Sequence, residues 1–251
     1  MSLAPWSRGL AAAALLAAGA AQAQADPLET VRAALRQFTG TGPVKASLDR
    51  AVTWERKDRP LEAGRVTLEV AAGRQGTTIS YPAALLAQLQ TERANPDPDR
   101  ARPARRTLEN FDVTDVADLL NAAPALLTDL DGATLKADTA VEHEGRPARL
   151  LELDLVVHVS KADQKWVKSS TRSMKLWITP EGVPLAEQTE GEYVVGLLFF
   201  TFDARDSRSQ AFRAAGDRLV SVRRQSRYDG EGLGESQHHE SEMSLRLHPG
   251  S

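Results

Sequence analysis

The chain has 251 residues, of which 41% are hydrophobic and 5% aromatic, and its 31 basic side chains nearly balance 34 acidic ones. That is the composition of a folded globular protein, and a net charge of -3 gives no bulk attraction to phosphate backbones or anionic lipid, which argues against a nucleic-acid partner. The absence of cysteine excludes disulfides, a thiolate nucleophile, a cysteine-type zinc site and a lipidated cysteine.

Residues 1–25 read as an export signal. Arg8 supplies the basic start, 9–21 form an apolar run, and Ala21-Gln22-Ala23 and Ala23-Gln24-Ala25 both fit the small-residue cleavage pattern. The run is shorter than the roughly 20 apolar residues of a spanning helix, and no later segment reaches that length. Cleavage near Ala23 or Ala25 removes one charged side chain, Arg8, and leaves a mildly acidic chain. Residues 26–251 are expected to fold as a single periplasmic domain, a monomer without a transmembrane segment.

In chain order, Asp26 and Pro27 open a helix whose Leu28, Val31, Leu35 and Phe38 share a face. From Val44 the period becomes two, with Val44, Ala46, Leu48, Val52 and Trp54 in one phase, and a return strand follows with Val66, Leu68 and Val70 in phase. After a short strand ending at Tyr81, Pro82 starts a second helix carrying Leu85, Leu86 and Leu89. Residues 95–106 hold three prolines among arginines and read as an exposed mobile loop. A third helical stretch is predicted from Thr114 as N-cap, bent or split by Pro124.

From Thr134 the chain is strand and turn. A strand with Leu135, Ala137 and Val141 precedes one from Arg149 to Val159 with Leu151, Leu153, Leu155, Val157 and Val159 in phase. Met174, Leu176 and Ile178 mark the next; 183–203, the strands around Phe212 and Leu219, and the final alternation Ser241, Met243, Leu245, Leu247 complete the set. About ten strands joined by hairpin turns make an antiparallel meander. A sheet this wide curls, so the expected fold is mainly β (α+β): a large curved antiparallel sheet forming an incomplete barrel, with an N-terminal helix and short lid helices.

This order of elements resembles the LolA/LolB-like superfamily of periplasmic lipoprotein carriers. The resemblance is carried by the export signal, the helix ending in Phe38-Thr39-Gly40, the strand to Trp54, the return ending in Tyr81-Pro82, and Leu176-Trp177-Ile178-Thr179-Pro180-Glu181-Gly182-Val183-Pro184. It departs from the family where Leu85-Leu86 and the arginine-rich segment replace a glycine-containing aromatic hairpin. The resemblance implies an incomplete barrel holding an apolar ligand or acyl chain.

No constellation demands catalysis. His238 and His239 are neighbours on a strand and point to opposite faces, so they do not form a metal pair. Gly230-Glu231-Gly232-Leu233-Gly234 lacks the Lys-Ser/Thr of a phosphate loop, and Ser169–Lys175 lacks S-x-x-K spacing. The pairs Glu152/Asp154 and Glu190/Glu192 read as solvated strand faces. Two arginine sets, Arg100, Arg102, Arg105, Arg106 and Arg218, Arg223, Arg224, Arg227, are candidates for an acidic partner or lipid headgroups.

Two readings follow. In the first, a non-catalytic periplasmic carrier holds a lipid, acyl chain or lipidated polypeptide against cavity walls made by Leu48, Val52, Trp54, Val66, Leu68, Leu153, Leu155, Leu176 and Phe199. In the second, the same fold has a filled core and binds an envelope protein through Arg102, Arg105, Arg106 and a sheet edge. Neither reading requires a cofactor or a metal.

Overall fold

A computed structural model describes residues 26–95, 97, 100–160, 164–197, 200–232 and 234–249; the expected export signal and Phe199 lie outside these described residues. Helix α1 (Pro27–Leu35) forms as its start signals require: Asp26 accepts the Leu28 amide, Pro27 takes the first turn, and Leu28, Val31 and Leu35 are buried. The β-strands are β1 (Val44–Arg56), β2 (Glu62–Gly73), β3 (Gly76–Ser80), β4 (Thr134–His143), β5 (Arg146–Asp154), β6 (Val167–Ile178), β7 (Pro184–Leu197), β8 (Phe200–Ala215), β9 (Arg218–Gly232) and β10 (Glu235–Leu247). They build one antiparallel sheet in the order β3-β2-β1-β10-β9-β8-β7-β6-β5-β4. The sheet does not close, and five helices accompany it among the described residues.

Side chains opposite one another on paired strands share a face, so the register divides the sheet into rows. One row runs Leu151, Leu176, Glu187, Gln210, Arg224, Met243, Arg50, Val66, and the next runs Leu153, Met174, Thr189, Arg208, Ser226, Ser241, Val52. Both begin apolar at β5 and β6, turn polar across the middle strands and become apolar again toward β1 and β2.

The helices complete the two apolar ends separately. Helices α2 (Ala83–Ala94), α3 (Pro103–Leu108) and α4 (Val113–Leu120) pack Leu85, Ala104, Val116, Leu119 and Leu120 against Leu48, Val66, Leu68 and Leu245. Helices α1 and α5 (Ala123–Asp129) pack Val31, Leu35, Leu126 and Leu130 against Leu151, Leu153, Leu176 and Ile178. Burying one such leucine stabilises the fold by roughly 2 kcal/mol.

Local departures from the sequence reading have identifiable causes. The third helical stretch is capped by Asp112, not Thr114, because Asp112 and Asp115 form a reciprocal capping box. It is split, not bent, before Pro124. The predicted strand to Val159 pairs only as far as Asp154, although Leu155 still donates its amide to the Arg172 carbonyl. Within 95–106, where a loop is expected, residues 96, 98 and 99 lie outside the described residues, and the chain is helical from Pro103. Glu92 of α2 caps α3 by accepting the Ala104 and Arg105 amides, both at 2.9 Å.

Helix α3 lies against β2 beyond the reach of β3, which pairs only with Glu69–Gly73. The approach is so close that a Cβ on Gly64 would stand 2.1 Å from Thr107 Oγ1. Glycine at position 64 thus lets a helix cover part of a sheet edge.

Candidate functional site

The predicted wall residues in the described strands are mostly buried against helices. Leu48, Val66 and Leu68 belong to one packed cluster and Leu153, Leu155 and Leu176 to the other, and Val52 is also buried. Trp54 stands apart, half-buried, with His239 edge-on at a centroid distance of 4.9 Å and the guanidiniums of Arg56 and Arg106 each 5.0 Å from its ring. Its indole nitrogen has no hydrogen-bond acceptor.

Between the two clusters lies an ionic seam. Arg208 donates through Nε to Glu187 Oε1 and through an Nη to Asp129 Oδ2, each at 2.8 Å, and Arg172 reaches the other Asp129 oxygen at 3.1 Å. Gln210 donates to Glu187 at 2.6 Å and accepts from Ser221 and Arg224. Burial works against the Arg208 charge, but Glu187 and Asp129 outweigh it and raise its pKa. Among the described residues Arg224 has no carboxylate in contact, and burial, helped by Arg208, lowers its pKa. Burial likewise raises the pKa of Asp118, which α4 holds over this region. Glu187 Oε2 and Thr189 Oγ1 are buried without partners in residues only 1% exposed.

Among the described residues, the helices pack on one face of the sheet and leave the opposite face of the middle strands uncovered. One of its rows reads Glu192, Arg205, Asp229, His238, Glu55, with acidic and basic residue types alternating across five strands. Two clefts, of about 760 and 390 Å³, follow this face and share Arg227. Their charges are largely matched within the fold: Arg227 with Asp229 and Glu240, Arg205 with Glu192, and His238 between Asp229 at 2.7 Å and Glu240 at 3.1 Å. His239 lies on the other face beside Trp54, as strand geometry requires. Among the described residues, no group of three His, Asp or Glu side chains is arranged to hold a metal.

Toward the hairpin tips, the helix-facing side carries aromatic rings over glycines. A Cβ on Gly230 would meet Phe202 at 2.8 Å and Tyr228 at 3.0 Å, and one on Gly191 would meet Tyr193 at 3.0 Å. The glycine-rich stretch from Gly230 is therefore partly a floor for Phe202.

The first arginine set divides. Arg106 is held by Glu62 at 2.6 Å and by Glu109, with its pKa raised first by the Glu62 hydrogen bond. Arg102 and Arg105 instead line recesses of about 350 and 390 Å³ between α2 and α3; Arg102 borders both. The second set is taken up by the fold: Arg218 donates to the Gly42 carbonyl, Arg223 to Glu242, Arg224 to Gln210 and Arg227 to Asp229. The seam was missed by pattern reasoning, but four consecutive polar residues, Glu187 to Glu190, inside a strand were a usable signal that neither face there is apolar.

No protein-family model matches the chain, and no curated protein matches it. Among solved structures, a LolA superfamily protein from Nitrosomonas europaea is similar at 12% identity over 89% of this chain and 93% of that one, with a TM-score of 0.23. The structure of MucB in complex with MucA(peri) is similar at 11% identity over 88% and 93% of the respective chains, with a TM-score of 0.22.

Proposed function

We propose that the chain is an exported, non-catalytic interaction module that binds a polypeptide partner with its surface while its core stays filled. The supporting observation is the packing of Leu48, Leu68, Leu153 and Leu176 against helix side chains, where storing an acyl chain would require a lined void. An acyl chain gains roughly 0.8 kcal/mol per buried CH₂, and the leucines that would offer it such a surface already pack against helix side chains. The export signal read in 1–25 supports the periplasm as its location.

The aromatic strip at Tyr193, Phe202 and Tyr228 favours a second reading, in which a lipid or lipidated polypeptide lies along it and not beneath the helices. Native mass spectrometry with organic extraction, on protein purified from a bacterial envelope, separates the two. The expected spectrum is a clean apo mass that does not change when a phospholipid is added. A stoichiometric co-purifying lipid would overturn the interaction module in favour of the carrier.

A further inference from the structure

A double recess lies between α2 and the start of α3. Arg93, Arg100, Arg102 and Arg105 surround it. Among the described residues, the guanidiniums of Arg93, Arg100 and Arg105 have neither a hydrogen bond nor an ion pair. Arg102 reaches only the Asp97 carbonyl, while its Nε is out of solvent without an acceptor. The carboxylate at the recess, Glu92, already caps the Ala104 and Arg105 amides. On the opposite face, by contrast, Arg205, Arg223 and Arg227 all have carboxylate partners.

We infer that this recess is the docking surface for an acidic segment of a partner polypeptide, whose carboxylates pair with the arginines that have no partner among the described residues. This names the partner chemistry of the interaction module and rests on that reading. The two recesses share Glu92 and Arg102, so the cations are strung along an elongated path and not gathered around one point. A path of this kind suits side-chain carboxylates spaced along a chain better than a single phosphate group. Leu86 of α2, 46% exposed, lies on the same helical stripe as Arg93 and offers an apolar contact at its margin. The planar fork of a guanidinium donates two parallel hydrogen bonds to one carboxylate, and Arg102 Nε gains the acceptor it lacks.

The test uses the chain from residue 26 and a fluorescein-labelled octaglutamate peptide, followed by fluorescence anisotropy at low salt. Saturable binding is expected, weakened roughly tenfold in Arg100→Gln/Arg105→Gln and abolished by raised salt. That double variant breaks no described side-chain bond, so its melting temperature should match the parent. Arg205→Gln/Arg223→Gln, on the other face, should bind the peptide normally. Absence of saturable binding, or binding that survives Arg100→Gln/Arg105→Gln, overturns the inference. Binding of anionic phosphatidylglycerol vesicles without binding of octaglutamate also overturns it and assigns the arginines to lipid headgroups. A lipid-free native mass with no peptide binding defeats this surface alone, whereas a lipid-loaded mass defeats the interaction module itself.

Discussion

Arg208 and Arg105 are the same side chain in opposite circumstances. Arg208 sits in the seam between two apolar clusters with Glu187 and Asp129 on it, whereas Arg105 borders a recess where the carboxylate at hand is already committed to backbone amides. The difference teaches how to separate charges that build this fold from charges available to a partner: the first kind has its counterpart within the chain. Sequence composition cannot draw that line, because both arginines lie in polar stretches of similar appearance. The seam also explains why the sheet has two cores, since a polar strip across β7, β8 and β9 prevents the leucines on either side from merging.

The most disruptive way to break the comparison is to leave the seam half-filled. Glu187→Ala removes one of the two carboxylates on Arg208 and the acceptor of Gln210 in a buried setting and should cost about 3 kcal/mol of stability, read from urea denaturation at neutral pH. Glu187→Leu combined with Arg208→Met removes both charges, and its loss should be clearly smaller. If the double variant is as unstable as Glu187→Ala, the seam is held by something other than charge pairing.

Arg106 provides an internal control, because it adjoins Arg105 in sequence yet belongs with Arg208 in behaviour. Arg106→Gln removes bonds to Glu62 and Glu109 and a cation over Trp54, and should lower stability by about 1 kcal/mol after solvent screening. Octaglutamate binding should change little. A large loss of peptide binding with no loss of stability would move Arg106 to the partner-binding class.

Much of the fold was legible because alternation is a direct imprint of a half-buried strand: β1, β2 and β10 fall where Leu48, Leu68 and Leu245 mark them. Helix α3 was not, since Pro103–Leu108 is too short to display a helical period and is held by contacts remote in sequence, Glu92 and Gly64. Leu48, Val52, Trp54, Val66, Leu68, Leu153 and Leu176 lie on the helix-facing phase of their strands. Alternation reports that a side chain is buried, however, and not whether a ligand or a helix covers it. The distinction between Arg106 and its neighbours was equally hidden, because Glu62 lies 44 positions away.

Asp217 extends the comparison to a surface carboxylate whose partners are all supplied by the chain. The Gly42 amide first, then the Thr41 hydroxyl and amide and the Thr39 hydroxyl, hold its pKa well below the usual carboxylate range. Since the folded value is depressed, the stabilisation is complete above the unfolded carboxylate value near ~3.9 and is lost as pH falls toward the folded one. Asp217→Asn should therefore lower the melting temperature at pH 7, and the gap from the parent should narrow in melts taken progressively below about pH 4. A gap independent of pH would show that the clasp between residues 39–42 and the β8–β9 turn acts through hydrogen bonding without its charge.

The smallest expected effect is the most discriminating. Arg105→Gln should leave stability within about 0.5 kcal/mol of the parent, because its guanidinium holds nothing that the fold needs. The same substitution should weaken octaglutamate binding and flatten its salt dependence, since one cation fewer meets the peptide. Loss of stability on the scale of Glu187→Ala would mean that Arg105 has a structural counterpart after all, and that the contrast with Arg208 is one of degree. Unchanged stability with weakened binding would establish that the two arginines differ in kind: one satisfied by the fold, the other left for a partner.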